Sequence, residues 1–332
     1  MQLAERVMSA ALATSLLFIT TGCASPDITP ETSLEALPAV SLDNLNPDYV
    51  RQIAFDEVKQ LLINSEPGPD NINHVIDKGV NEEFVQKAID QIPKMAGFFQ
   101  DLAPVEKYTM IWTTKDGGTN LENLLCYEAG FCDAKDAAKF CNRGPIEYFT
   151  VFCEIDSKEL NLYLFPIWQG YVRAQEYAIS SFRTQPGWFS DGLASYFEGH
   201  FSGLYFDDIE YTSFGSSLAY FRGLLYENDN IVKFEEPATE KNVIDALIAT
   251  TDSTGLYNPR EQAQLGPYLG LLAVEALIAS EGYETFKSFW RLTANKDFDK
   301  AFEKVYGLTD REFFKKLAPY AVEMMKRDAE LT

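Results

Sequence analysis

Residues 175–179 read Gln-Glu-Tyr-Ala-Ile, and residues 186–198 read Pro-Gly-Trp-Phe-Ser-Asp-Gly-Leu-Ala-Ser-Tyr-Phe-Glu. Both stretches show helical periodicity. The first closes a stripe with spacing i, i+3, i+4, i+7 and i+11, formed by Trp168, Tyr171, Val172, Gln175 and Ile179. The second places four large side chains on one face, namely Phe189, Leu193, Tyr196 and Phe197. The pair predicts two successive helices, separated at Pro186-Gly187.

Together the two stretches resemble the gluzincin metallopeptidases. Those proteins carry His-Glu-x-x-His on one helix and Pro-x-Trp-(Leu/Phe)-x-Glu-Gly-Leu-Ala-x-Tyr on the next. The segments 268–283 and 298–317 resemble the closing helices of that superfamily's short members, so the likeness covers about residues 107–320. It implies an α+β, thermolysin-like zincin fold, with a small N-terminal β-sheet and helices followed by a mainly helical C-terminal half.

The resemblance assigns roles to four positions. Helix positions i and i+4 share a face, so two histidines there can bind one zinc ion, and the intervening Glu activates the metal-bound water. In this chain Gln175 and Ile179 stand at the two histidine positions. Asp191 stands at the third ligand position, and only Glu176 keeps the general-base residue type. We therefore expect the zinc site to be lost, and no cofactor to replace it.

Two interpretations of the remaining carboxylates stay open. Glu176 and Asp191 could work as a metal-independent acid–base pair, as in glycoside hydrolysis. Alternatively, Glu176 is a relic that is solvated or hydrogen-bonded to a neighbour such as Tyr177 or Arg173. Three other side chains receive structural interpretations: Ser190 as a residue of the first helical turn, Tyr268 as core, and His200 as a capping or surface residue.

Composition excludes several classes of function. The 332 residues contain 28 Lys+Arg and 50 Asp+Glu, a formal charge of -22, which argues against binding nucleic acid or anionic lipid. The chain has only two histidines, His74 and His200, so it has no His-x-x-x-His pair. Hydrophobic residues make up 46%, enough for a sizeable core.

The N-terminus is typical of an exported lipoprotein. Arg6 precedes the mostly apolar run 7–19, and Thr20-Thr21-Gly22-Cys23 resembles a bacterial lipobox. The resemblance implies that residues 1–22 are removed and that a lipid on Cys23 anchors the chain to a membrane. By the same resemblance, the absence of an Asp directly after Cys23 implies the outer membrane, facing the periplasm or the cell surface. Residues 23–48 contain four prolines and predict a tether.

Four further cysteines fit an exported protein. Cys126, Cys132, Cys141 and Cys153 lie within 28 residues and predict two disulfides of unknown pairing, in preference to a four-cysteine metal site. Beyond the tether, the chain divides into an N-terminal helical region at 49–105 and the gluzincin-like domain at 106–332.

Local patterns predict the other elements. Helices are expected at 49–65, 81–101, 267–280 and 297–306, and strands at 107–114, 148–155 and 160–165. Thr309 and Glu312 form a capping-box signature. Residues 228–262 look like a loop-rich insertion, and His74 is expected in a loop.

These features favour a cell-envelope lipoprotein whose inactive peptidase-like domain binds or scaffolds a peptide or another envelope protein in the old cleft. The alternatives are a metal-independent hydrolase using Glu176 and Asp191, a divergent peptidase, and a purely structural lipoprotein.

Overall fold

The three described strands form one small parallel sheet. In the computed structural model the described residues are 38–106, 108–114, 149–153, 155, 165–180, 185–206, 239–251 and 265–330. The strands are β1 (Ile72–Ile76), β2 (Tyr108–Trp112) and β3 (Phe149–Phe152), in the order β1-β2-β3. The register pairs Ile72 with Tyr108 and Thr109 with Phe149. Every residue of β2 and β3 is buried, as is typical of strands covered on both faces.

Helices make up most of the remaining described chain. They are α1 (Val50–Asn64), α2 (Glu82–Ile89), α3 (Ile92–Phe98), α4 (Phe165–Ile179), α5 (Gly187–Phe206), α6 (Glu240–Thr251), α7 (Leu265–Glu281), α8 (Tyr283–Leu292), α9 (Phe298–Tyr306) and α10 (Asp310–Glu330). The fold is therefore mixed α+β, as predicted. None of the helices in the described ranges is long and apolar enough to cross a membrane.

Helix α5 is the central helix of the C-terminal half. It packs against α4 on one side and α7 on the other. The crossing with α7 occurs at two glycines, because a Cβ on Gly192 would lie 2.4 Å from the backbone of Gly270. The fully buried Trp188 packs edge-to-face on Phe298 and Phe314, at centroid distances of 5.7 and 5.6 Å. Backbone contact and aromatic packing together fix α5 against the closing helices.

Several local predictions are confirmed. Helix α1 matches its predicted range, and α9 ends at Gly307, which adopts a left-handed φ of 69°. The predicted capping box forms: the backbone amide of Thr309 donates to Glu312 at 2.8 Å, and the Glu312 amide donates to the Thr309 hydroxyl at 3.2 Å. Interrupted by a short turn, the 81–101 segment forms two helices instead of one.

Two expectations were wrong within the described residues. His74 lies in strand β1 and not in a loop, and the described part of the segment 228–262 forms helix α6, while the rest of that segment lies outside the described residues. The buried residues Val243, Leu247 and Thr250 of α6 do follow a helical spacing. In β1, Asn73 and His74 interrupt the apolar character on which strand recognition depends.

The last part of the predicted tether packs against the domain. Leu42 is buried, and Asp43 forms an ion pair with Lys316. Asp48 accepts a hydrogen bond from Arg327 at 2.7 Å. Residues 38–48 are therefore attached to α10 rather than extended from the domain. The remainder of the tether, the signal segment and Cys23 lie outside the described residues, as do most of the predicted strand at 160–165, Cys126, Cys132 and Cys141.

Candidate functional site

Buried side chains occupy the two positions at which the resembling family carries its zinc-binding histidines. Gln175 is buried, and its Nε2 donates to the Ala103 carbonyl at 2.6 Å. Ile179, one turn further along α4, is only 7% exposed and belongs to the hydrophobic core. An isoleucine offers no lone pair, and the amide of Gln175 is held by a backbone group. This face of α4 therefore has no side chain that could replace an imidazole.

Glu176 is fully buried beside an arginine from the same helix. Its Oε2 accepts from Arg173 Nη1 at 3.1 Å, one helical turn away. The Ser190 hydroxyl also hydrogen-bonds to Glu176. Oε1 has no hydrogen-bond partner among the described residues. The carboxyl group is thus half satisfied, in a place where desolvation is severe.

Arg173 connects the carboxyl groups of two helices. Its Nη2 contacts Asp191, just after the first turn of α5, and its Nη1 contacts Ser190. The side chains of Arg173 and Asp191 are 17% and 27% exposed, whereas that of Glu176 is inaccessible. Glu176 and Asp191 are therefore brought together as expected, but a guanidinium lies between them. Its positive charge is shared by the two carboxyl groups.

The electrostatics of this cluster favour a neutral Glu176 below pH 7. Burial raises the pKa of Glu176 to about 7, against the opposing effects of Arg173 and Ser190. The Asp191 carboxylate adds to the rise. A carboxyl group with this pKa beside a carboxylate in a wetter environment has one property of an acid–base pair.

A second buried acid extends the polar contact between the same helices. Glu198 of α5 is fully buried, and its Oε2 accepts from Gln169 Nε2 at 2.5 Å. Gln169 and Glu176 lie seven residues apart on α4, as Asp191 and Glu198 do on α5, so all four belong to one seam between the helices. Burial raises the pKa of Glu198 to about 8, and the bond from Gln169 only partly opposes this rise.

The two histidines lie away from the seam. His200 is fully buried in α5 and stacks on Phe55 at 4.9 Å, so the prediction of a capping or surface residue was wrong. Burial lowers its pKa to about 3, which keeps the imidazole neutral. His74 accepts a hydrogen bond at Nδ1 from Trp112 Nε1 at 3.3 Å, and its Nε2 lies 3.4 Å from Asp70. Within the described ranges, no three His, Cys, Asp or Glu side chains are grouped to hold a metal ion.

The remaining predicted residues lie where their contacts indicate a structural role. Ser190 lies in the first turn of α5, where its hydroxyl is bonded to Arg173. Tyr268 is buried in the core, as predicted. Cys153 directly follows β3, is buried and is disulfide-bonded, but the pairing lies outside the described residues.

Sequence reasoning missed Glu198 and Gln169, and it named Arg173 only as a possible neighbour of Glu176. The signal was present in the spacing, because Gln169, Arg173 and Glu176 follow the positions i, i+4 and i+7 of one helix face. Three polar residues on one face of an otherwise apolar helix indicate a buried polar contact with the next helix.

Comparisons of the chain with family models, with curated proteins and with solved structures found no match.

Proposed function

We propose that this chain is a lipid-anchored protein of the bacterial cell envelope with a catalytically inactive, thermolysin-like metallopeptidase domain. The domain serves as a binding or scaffolding module for a peptide or another envelope protein. One observation carries the proposal. At the positions that resemble the zinc ligands stand a hydrogen-bonded amide, a buried isoleucine and an aspartate paired with Arg173.

The chemistry of these groups supports loss of metal catalysis. A zinc site of this type needs three protein ligands and one open position for water. Here only Asp191 is a good ligand, and its carboxylate is already neutralised by the guanidinium of Arg173. The general-base position, Glu176, is shielded from solvent. A cation supplied by the chain itself removes the electrostatic reason for holding Zn²⁺ at this place.

Metal analysis tests the proposal directly. Protein purified without chelators is expected to contain far less than one zinc per chain by mass spectrometry, and to leave a broad peptide library intact. Stoichiometric zinc together with peptide cleavage would refute the proposal. Either result is independent of which partner the module binds.

Rebuilding the site tests the resemblance itself. The variant Arg173→Ala/Gln175→His/Ile179→His restores two histidines at i and i+4 and frees Asp191 from its guanidinium. It is expected to bind zinc at least 10-fold more tightly than the control Glu83→His/Lys87→His, an exposed i, i+4 pair on α2. Equal affinity in the two variants would mean that Asp191 does not complete a zincin-like site.

Membrane attachment has its own test. The wild-type chain expressed in bacteria is expected to partition into detergent and to sediment with the outer membrane, whereas Cys23→Ser is expected in the soluble fraction. Attachment that survives the substitution would exclude a lipid on Cys23.

A second candidate function is a metal-independent hydrolase. The raised pKa of Glu176, at about 7, beside a partly exposed Asp191 favours it. This hypothesis expects hydrolysis of chromogenic glycosides or peptides by the purified protein, and loss of that activity in Glu176→Gln. Activity unchanged by the substitution would eliminate Glu176 as its acid.

A further inference from the structure

Residues 38–48, which precede α1, form a strap on the surface of the domain. Leu42 is 7% exposed and belongs to the hydrophobic core. Val40 and Leu45 pack against the core but stay partly exposed, and every other residue of the strap is also partly or fully exposed. The strap therefore inserts a single buried side chain into the domain.

The backbone hydrogen bonds of the strap are local. The Asn44 amide donates to the Ser41 carbonyl at 2.9 Å, and the Asp48 amide donates to the Asn46 side chain at 3.0 Å. The Asn46 carbonyl accepts from the Val50 amide at 3.1 Å, at the start of α1. Within the described ranges, no backbone hydrogen bond joins the strap to an element other than α1. The strap can therefore leave the surface of the domain without breaking the backbone bonds of another element.

Two ion pairs join the strap to α10. Asp43 pairs with Lys316, and Asp48 pairs with Arg327 at 2.7 Å. The side chains of Asp43 and Asp48 are 82% and 60% exposed. Ion pairs between exposed groups contribute little to stability and are screened by salt. Attachment of the strap therefore depends on the ionic strength.

Helix α1, which follows the strap, is held much more firmly. Its residues Val50, Ala54 and Val58 have no exposed surface, and Arg51 forms a buried ion pair with Glu275 of α7. Regions with few buried contacts open at a lower free energy than core helices. The boundary between the strap and α1 is therefore the place where such a local opening stops.

We propose that the strap detaches from α10 while the rest of the domain stays folded, and that its release lengthens the free chain between Cys23 and the domain. The inference rests on the proposed lipid attachment and adds a means of regulating its length. Cys23 is 19 residues from Leu42 and 27 residues from Val50. At about 3.3 Å per residue, release adds about 26 Å to the largest distance between the lipid and the domain. Higher ionic strength favours the released form.

Digestion with chymotrypsin under native conditions tests the release in Cys23→Ser, which has no lipid acceptor. Cleavage after Leu42 or Leu45 is identified by mass spectrometry, and it follows the released population because the protease needs an extended backbone. It is expected to be at least 10-fold faster than cleavage after Phe55 in α1. Between 0.05 and 0.5 M NaCl it should accelerate at least 3-fold, relative to a free peptide of residues 36–50 digested in the same salt.

Variants assign the effect of salt. Asp43→Asn/Asp48→Asn removes both ion pairs, so it is expected to be cleaved at least 3-fold faster than the parent in 0.05 M NaCl and to lose the salt dependence. The matched control Glu82→Gln/Glu83→Gln removes two exposed acids from α2 and should behave as the parent. Equal cleavage rates in the strap and α1, or an unchanged salt dependence in Asp43→Asn/Asp48→Asn, overturns the proposal. Absence of a lipid on Cys23 would instead refute the proposed attachment, since the digestion is carried out without it.

Discussion

Two buried arginine–glutamate pairs occur in the described part of this chain, and they differ in how completely the carboxylate is satisfied. Arg51 on α1 donates to Glu275 Oε2 at 3.3 Å, and Tyr320 on α10 donates to Oε1. Both oxygens are used, and the three residues are at most 4% exposed. This pair joins the first, seventh and tenth helices.

The pair formed by Arg173 and Glu176 has a different character. One oxygen of Glu176 has no hydrogen-bond partner among the described residues, and Arg173 also contacts the partly exposed Asp191. A closed network with every group bonded stabilises one conformation. An open network at a partly exposed position can exchange partners or protons. The comparison indicates that Glu275 is structural, whereas the Glu176 cluster is the part of the seam that is able to respond to pH or a ligand.

The largest loss of stability is expected from breaking the Arg51–Glu275 pair, in which both carboxylate oxygens are hydrogen-bonded. Arg51→Met leaves Glu275 buried with Tyr320 and without its cation, and should lower the free energy of unfolding by about 3–5 kcal/mol in urea titrations. Replacing all three groups, as Arg51→Met/Glu275→Leu/Tyr320→Phe, should recover most of this loss. If the free energy of unfolding of Arg51→Met lay within 1 kcal/mol of wild type, the structural role of the Arg51–Glu275 pair would be contradicted.

Glu198 is a buried acid with no cation beside it among the described residues, so comparing it with Glu176 tests the role of the Arg173 guanidinium. The pKa of Glu198 is raised to about 8 from 4.5, so the unfolded chain loses this proton first, and folding stability falls as pH rises through that interval. Between pH 6 and pH 8 wild type should lose about 2–3 kcal/mol more than Glu198→Gln, since each pH unit corresponds to about 1.4 kcal/mol. The exposed substitution Glu83→Gln is the control. Parallel stability curves for wild type and Glu198→Gln would mean that Glu198 ionises freely.

Removing the Arg173 guanidinium from the Glu176 cluster should lower the free energy of unfolding less than breaking the Arg51–Glu275 pair. Arg173→Met is expected to lower the free energy of unfolding by about 2 kcal/mol at pH 8.5 and by less than half of that at pH 6. The sign follows from the raised pKa of Glu176: without the cation this pKa rises further, so the burial of an ionised carboxylate becomes more costly above pH 7. Equal losses at the two pH values would show that Arg173 acts through packing alone.

The sequence predicted what depends on neighbours along the chain. The range of α1, the left-handed Gly307 and the Thr309 cap follow from local spacing and backbone preference. The groups that hold Gln175 and Glu275 could not be found in this way, because the Ala103 carbonyl and the Arg51 side chain lie 72 and 224 residues away along the chain. Position in the chain gives no information about such contacts.

The candidate site was predicted only in part for the same physical reason. Gln175, Glu176 and Asp191 were identified from the motif, and two of them do meet at one guanidinium. The burial of Glu176 and the partner of Gln175 depend on how the two helices and the loop at Ala103 pack. Packing therefore decided whether the motif forms an accessible carboxylate pair or a shielded one.

The smallest loss of stability is expected from removing the Ser190 hydroxyl, which hydrogen-bonds to Glu176. Ser190→Ala removes a bond to the carboxyl group and one from Arg173, and should lower the free energy of unfolding by about 1 kcal/mol. Because the Ser190 bond lowers the pKa of Glu176, its loss should shift the midpoint of the pH-dependent stability change upward from about 7. Urea titrations at half-unit pH intervals would resolve this shift, with Glu176→Gln as the variant in which it disappears. A shift of equal size in the Ser190→Ala/Glu176→Gln double variant would assign the change to another group, and Glu176 would then belong with Glu275 as a carboxyl group of purely structural role.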